Sequence, residues 1–266
     1  MTRAIAQTFD RLKTSGRKAF IPFITAGDPD LEMTIRLVPE LERSGADIVE
    51  LGIPFSDPLA DGPTIQRASE RALCHGYALP DYLEAVGLIR RKTAVPIVIF
   101  SYYNPILRLG LEAFATRASA AGINGVLVTD ITPEEASEYR RRMDDYNLDT
   151  VFLVAPTSSD QRVAKICECT RGFVYLVSRT GVTGVQQTLS SSIVPMLRRI
   201  RQHTGLPVAV GFGISDPDQV RAVWQVADGA VVGSAIVAQI EKESGSADLP
   251  ARIGTFCRWL TEGGTI

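Results

Sequence analysis

A carboxylate inside an otherwise apolar run is the most chemically informative feature of this chain. Glu50 lies in Ile48-Val49-Glu50-Leu51, where an ionised side chain is costly unless it is paired or protonated. Burial of that kind raises a carboxyl pKa, which is what a general acid/base working near neutral pH requires. A structural hydrogen bond inside the fold is the competing use of the same residue. Two further acids, Asp57 and Asp61, sit just behind it in a proline-stiffened loop running from Pro54 to Pro63. Asp-Pro and Asp-Gly are ordinary turn dipeptides. What singles these acids out is their nearness to Glu50, which places one of the two to act as a second carboxylate.

Another group of residues has the makings of an anion cradle. Gly184, Gly213 and Gly233-Ser234 let backbone N–H groups approach a phosphate, and a helix starting near Ser234 adds its own free N–H groups. The aromatic residues Phe23, Tyr102, Tyr175 and Phe212 supply rings either for a flat substrate or for plain core packing.

The missing chemistry is as telling. The five lysines (Lys13, Lys18, Lys92, Lys165, Lys242) fall before strand-like runs or on helix-like ones, so none is placed for a Schiff base. His75 and His203 fall near helix ends, and Cys167 and Cys169 are two apart on a helix, which leaves no zinc-like cluster. No glycine-rich nucleotide loop and no serine nucleophile elbow occurs. Acid–base catalysis without a metal or covalent intermediate is what the residues leave.

These groups must be held by elements, and the elements repeat. Eight short apolar runs read as strands: Phe20–Thr25, Ile48–Leu51, Ile97–Phe100, Gly125–Val128, Val151–Val154, Phe173–Val177, Val208–Gly211 and Ala230–Val232. They are apolar throughout rather than alternating, as strands of a parallel sheet covered on both faces are. Helix patterns follow them, among them Leu31–Ser44, Asp81–Lys92, Leu111–Ala121, Glu134–Asp145 and Asp216–Ala227. Asp28-Pro29, Thr132-Pro133 and Asp216-Pro217 set a proline beside a capping side chain. Eight strand–helix units predict one (β/α)8 TIM barrel over residues 1–266; a doubly wound sheet, which uses five or six strands, is the alternative. An extra N-terminal helix, Ile5–Thr14, is expected to cover the barrel bottom. Insertions follow the second strand (Pro54–Pro80) and the sixth, where polar, aperiodic Ser178–Ser192 reads as a lid.

Composition narrows the setting. The chain of 266 residues carries 28 Lys+Arg against 30 Asp+Glu, a net charge of −2 that argues against a nucleic-acid or anionic-membrane surface. Four cysteines without a Cys-x-x-Cys spacing fit a reducing, cytoplasmic environment. Met1–Ser15 alternates charged and apolar groups rather than forming a signal peptide, and the proline-containing stretch Thr93–Leu107 is too short to span a bilayer.

The segment Glu50–Pro63, with Pro22–Pro29, Tyr103–Pro105, Ser178–Gly184, Gly211–Ile214 and Gly233–Ile236, resembles the tryptophan synthase alpha subunit family over nearly the whole chain. That resemblance implies a lyase that cleaves indole-3-glycerol phosphate to indole and glyceraldehyde 3-phosphate, a retro-aldol step late in tryptophan biosynthesis. It implies Glu50 as the acid/base and Asp61, rather than Asp57, as the group facing the indole N–H. It assigns phosphate to Gly184, Gly213, Gly233 and Ser234 with Tyr175 nearby, substrate packing to Phe23, Leu127, Phe212 and Ile214, and lid closure to Thr183. Tyr102 joins the aromatic lining. It also implies no cofactor in this chain, and a beta-subunit partner carrying pyridoxal phosphate in an αββα assembly. Thr129 after the fourth strand and Phe100-Ser101 at the end of the third depart from the family's usual residues. A barrel isomerase acting on a phosphorylated sugar through two carboxylates is the alternative that the residues alone leave open.

Overall fold

The computed structural model describes residues 3–177, 187–211 and 213–264, with 187–192 as backbone only. Nine strands occur in chain order: β1 (Ala19–Thr25), β2 (Val49–Gly52), β3 (Ile97–Ser101), β4 (Gly125–Val128), β5 (Asp149–Val151), β6 (Leu153–Val154), β7 (Val174–Val177), β8 (Val208–Gly211) and β9 (Gly229–Val232). The helices are α1 (Ala4–Thr14), α2 (Leu31–Arg43), α3 (Pro63–Leu73), α4 (Leu79–Ile89), α5 (Tyr103–Leu109) and α6 (Leu111–Ala120). They continue as α7 (Ser137–Asp145), α8 (Asp160–Cys169), α9 (Gln187–His203), α10 (Pro217–Val226), α11 (Ser234–Glu243) and α12 (Leu249–Glu262).

All pairings are parallel, in the order β5-β4-β3-β2-β1-β9-β8-β7-β6. The two ends of this sheet, β5 and β6, are separated only by Phe152, whose carbonyl still accepts from Tyr175 N at 3.1 Å. They are one barrel strand interrupted for one residue, and the ring of eight positions closes as the sequence predicts. Pro22 sits where a proline is tolerable: β1 pairs with β9 over Ala19–Pro22 and with β2 over Phe23–Thr25. The missing N–H therefore falls where the strand changes partner.

Side chains alternate between two compartments. Ile24, Leu51, Ile99, Val126 and Val210 point outward into the layer under the helices. Ile21, Ile48, Val98, Leu127, Val151 and Tyr175 fill the barrel interior. Ile5, Phe9 and Leu12 of α1 join that interior cluster, with the Phe9 and Phe173 rings 5.8 Å apart, so the leading helix plugs the bottom as expected. Among the described residues no helix is long and apolar enough to cross a membrane.

Several local expectations are corrected. Asp216 caps α10 through Gln219 N at 2.9 Å, but α2 is capped by Asp30, through Met33 N at 2.6 Å, because Asp28 is engaged by Arg71. Thr132–Glu135 is a turn, closed by Glu135 N to Thr132 O at 3.1 Å, so α7 begins at Ser137 rather than Glu134. The α4 helix begins two residues earlier than expected, at Leu79, with the Asp81 carboxylate accepting from Ala78 N at 2.7 Å. The Pro54–Pro80 insertion holds a complete helix, α3. The stretch read as a lid to Ser192 is already helical from Gln187. The remainder of that stretch lies outside the described residues.

Two glycines exist to make room for rings inside the barrel. A Cβ on Gly211 would lie 2.1 Å from Tyr175 Oη, and one on Gly52 would lie 2.5 Å from the Phe23 ring. Forcing atoms into such a site costs ~1–3 kcal/mol or more. Gly211→Ala is accordingly expected to lower the unfolding free energy by about that amount in chemical denaturation, and Tyr175→Phe to recover part of it. An unchanged midpoint in Gly211→Ala would show that Tyr175 has another place to go.

Candidate active site

The mouth of the barrel holds a cavity of about 110 Å3 whose lining includes Phe23, Glu50, Asp61, Ile65, Phe100, Tyr175, Gly213, Gly233 and Ser234. Strand alternation explains most of this membership. Phe23 is paired with Glu50 across β1 and β2, and Glu50 with Val98 across β2 and β3. Residues of this parity face the barrel axis, and the ones nearest the C-terminal ends of the strands line the cavity.

Glu50 is fully buried, and among the described residues neither carboxyl oxygen has a hydrogen-bond partner. Burial alone pushes its pKa up from 4.5 to about 8. The Tyr175 hydroxyl is also fully desolvated and lies in the field of Glu50, so its pKa rises well above 10. At neutral pH, Glu50 is therefore a neutral acid, holding one transferable proton in a pocket walled by Phe23 and Phe100. Those two rings meet edge to face, with centroids 5.3 Å apart.

Asp61 has a different environment. Its Oδ2 accepts from Tyr102 Oη at 3.0 Å, and Tyr102 Oη in turn accepts from Ala60 N at 2.9 Å. Tyr102 is itself stacked on Phe55 at 5.0 Å. Desolvation raises the Asp61 pKa and the tyrosine hydrogen bond opposes it, while the Tyr102 hydroxyl is pushed upward by burial and by Asp61. The Asp61 backbone carbonyl accepts from Gln66 Nε2 at 2.9 Å, fixing the loop to the first turn of α3. Asp57, by contrast, is exposed and bonded to Ser56 Oγ at 3.0 Å. The structure thus separates two aspartates that spacing alone leaves equivalent.

At the opposite wall, α11 starts at Ser234 with Gly233 as its N-cap and no side chain capping it. Its first N–H groups, Gly213 and Ser234 make a concave polar end suited to an anion. Leu127 is buried in the barrel interior and Ile214 in the layer under the helices; neither lines the cavity. Thr183, Gly184 and Phe212 lie outside the described residues. Thr129 is half-buried, its hydroxyl 3.4 Å from Ser101 O. Ile65 and Val231 line the cavity without having been expected. For Ile65 the available signal is Gly62-Pro63, a helix start directly behind Asp61.

The loop flanking the mouth is only partly turned outward. Pro54 is buried and Phe55 folds in over Tyr102, whereas Leu59 is 93% exposed and Leu107 of α5 is 48% exposed.

The raised pKa of Glu50 has a consequence for stability. Below pH ~4.5 the carboxyl is protonated in both folded and unfolded chains, and its burial costs nothing extra. As pH rises from 4.5 to 8, the unfolded chain releases the proton while the folded chain keeps it, so stability falls by about 1.4 kcal/mol per pH unit. Above 8 both states are ionised and the fall ends. Glu50→Gln removes this term, so its unfolding free energy is expected to gain on the parent between pH 5 and 8 and then to run parallel. Urea titrations at a series of pH values give the difference directly, and a gap independent of pH would mean that Glu50 is ionised in the folded protein.

The family model described as tryptophan synthase alpha chain matches residues 9–261. A tryptophan synthase alpha chain of Geobacter sulfurreducens is 53% identical, covering 97% of each chain, and one of Geotalea uraniireducens is 49% identical with 97% of each covered. Among solved structures, the subunit alpha of Legionella pneumophila superposes with a TM-score of 0.90 at 36% identity, covering 98% of this chain and 97% of that one. A chain from the a2b2 tryptophan synthase complex of Pyrococcus furiosus gives 0.85 at 39% identity, covering 91% and 97%. A match of this length and identity, on a parallel barrel of the same fold, places the chain in the tryptophan synthase alpha chain family.

Proposed function

We propose that this chain cleaves indole-3-glycerol phosphate to indole and glyceraldehyde 3-phosphate, with Glu50 as the acid/base and Asp61 as the group that answers the charge on the ring. The observation that carries the reading is a fully buried carboxyl with no hydrogen-bond partner among the described residues, facing one cavity together with an aspartate and an uncapped helix start. In this reading the phosphate binds at Gly213, Gly233 and Ser234 against the α11 N-terminus, with Gly184 as a further phosphate contact and Thr183 given to lid closure. The indole ring lies between Phe23, Phe100 and Ile65, with its N–H toward Asp61.

Cleavage then needs two proton movements and one bond rupture. Glu50 gives its proton to C3 of the indole, which leaves positive charge on the ring nitrogen, opposite the Asp61 carboxylate. The resulting Glu50 carboxylate takes the proton from the hydroxyl on the adjoining glycerol carbon. As that oxygen becomes the aldehyde carbonyl, the C–C bond to the ring breaks and its electron pair restores the indole. Glu50 ends as it began, protonated. A pKa near 8 suits a group that must start as an acid at neutral pH. Desolvation raises the Asp61 pKa and the Tyr102 hydrogen bond opposes that rise, which favours the anion that this reading asks of Asp61 while Glu50 moves the proton.

Glu50→Gln keeps the shape and removes the transferable proton. It is expected to lower turnover by ~10²–10⁴ while glycerol phosphate still binds. Asp61→Asn should also be severe and Asp57→Asn close to the parent. In the parent, cleavage should decline as pH rises through about 8, where Glu50 loses the proton the first step needs. Release of indole, followed by absorbance, measures all four. Near-normal turnover in Glu50→Gln would sink the assignment.

In the same reading the chain works in the cytoplasm and carries no cofactor. It docks through the apolar surface around Leu59 and Leu107 onto a tryptophan synthase beta subunit, which holds pyridoxal phosphate and takes up the indole. The likeness to a chain of an a2b2 complex supports the partner, as does a leucine almost wholly exposed beside the site. Titrating a matched beta subunit should give co-elution and a faster cleavage step, since a partner that prefers one conformation shifts the population toward it. Leu59→Glu should abolish both. A rate unaffected by saturating beta subunit would favour a stand-alone lyase that releases free indole.

A further inference from the structure

The two walls of the cavity that do not belong to strands are tied to each other behind it. Arg71, on the last turns of α3, grips the Asp28 carboxylate with two bonds, Nε to Oδ1 and Nη2 to Oδ2, both 2.8 Å. Asp28 is 1% exposed and sits just past the end of β1. The remaining arm of Arg71, Nη1, reaches Glu241 Oε1 on α11 at 2.7 Å. Arg67, one turn earlier on α3, makes its own two-bond contact with Glu241, at 3.0 and 2.8 Å. Closer to the cavity the same three elements meet through apolar side chains, Phe23 of β1, Ile65 and Ala68 of α3, and Val237 of α11.

Each of these elements delivers one part of the site. The start of α3 holds Asp61 through Gln66, β1 carries Phe23, and α11 presents the helix end proposed for phosphate. We propose that Arg71 is a positioning residue for this reaction: through Asp28 and Glu241 it fixes α3, and with it Asp61, relative to the phosphate end of the cavity. The inference rests on the reading of Asp61 and of the α11 N-terminus given above.

The physical argument is one of leverage. Asp61 sits on a loop, and among the described residues its side chain is hydrogen-bonded by Tyr102, just after β3. The rest of its placement comes from α3, which is outside the eight-unit pattern and has no strand of its own to lie on. An arginine fork bound to two carboxylates at once has a fixed geometry that lysine cannot reproduce. The charge that Asp61 answers exists only while the ring is protonated, so a shift of α3 should be felt in kcat rather than in binding.

The test is a double-mutant cycle on cleavage of indole-3-glycerol phosphate. Arg71→Gln is expected to lower kcat about tenfold to a hundredfold with KM within about threefold, the loss that a misplacement near 1 Å can cause. On the Asp61→Asn background the same change should lower kcat less than about threefold, because the group it positions is already disabled. Arg71→Lys should recover only part of the loss. Glu241→Gln leaves Asp28 its full partner and so guards against misfolding in Arg71→Gln. It should lower kcat about threefold to tenfold, again not on the Asp61→Asn background. Kinetic constants equal to the parent in both Arg71→Gln and Glu241→Gln, with only the melting temperature reduced, would overturn the proposal. So would losses that multiply with that of Asp61→Asn. If Asp61→Asn itself turns over normally, the role given to Asp61 fails, and this inference with it.

Discussion

The constraint on which the site depends is the burial of one carboxyl that has no hydrogen-bond partner among the described residues. An ionised Glu50 at the barrel axis would face the full desolvation cost, so the folded protein holds the group protonated, with a pKa near 8. Everything around it serves that state. Phe23 and Phe100 wall the pocket, the Tyr175 hydroxyl is too hard to ionise to compete for charge, and among the described residues no cation offsets the burial. A closed barrel provides such a place because its inward side chains are screened by the ring of strand backbone and by the helices beyond it. The α1 plug at the bottom leaves the C-terminal mouth as the side from which solvent and substrate enter.

A second carboxyl in the same cavity, if it shared that environment, would merely be a second buried acid. Asp61 avoids this by coming from a loop. Its Tyr102 partner donates a hydrogen bond that favours the anion, and its main chain is tied to α3. Division of labour between the two acids thus follows from which kind of element carries each. The strand residue is dry and without a hydrogen bond among the described residues; the loop residue has a tyrosine hydrogen bond that opposes the effect of burial.

Legibility in the sequence followed the same division. Glu50 was visible because a charge interrupting a β-branched run is anomalous wherever the chain folds, and the eight runs were visible because strands covered on both faces are apolar throughout. The barrel and its N-terminal plug could be read for that reason. Asp57 and Asp61 could not be told apart by spacing, since what separates them is Tyr102, 41 positions beyond Asp61 in the chain; the resemblance alone chose between them. Ile65 escaped notice because its neighbours Phe23 and Val237 come from the two opposite ends of the chain. The capping role given to Asp28 went wrong for a related reason. Buried Asp28 is bound instead by a partly exposed arginine 43 residues away, and the cap falls to Asp30. Ile214 shows the limit of residue-by-residue transfer, because its side chain points to the helix layer while its neighbour Gly213 faces the cavity.

The glycines show how tightly the rigid and the adjustable parts are fitted. Gly52 and Gly211 face the barrel interior and are small because Phe23 and Tyr175 occupy the volume a side chain would need. Gly233 is less crowded, since a Cβ there would meet Phe23 only at 3.5 Å, ordinary contact distance. Its smallness is therefore not demanded by packing against that ring. It is consistent instead with close approach of a ligand to the backbone at the start of α11, where no side chain caps the helix. Where a glycine is forced by a neighbouring ring, the site has no freedom. Where it is not, the open space belongs to whatever binds there.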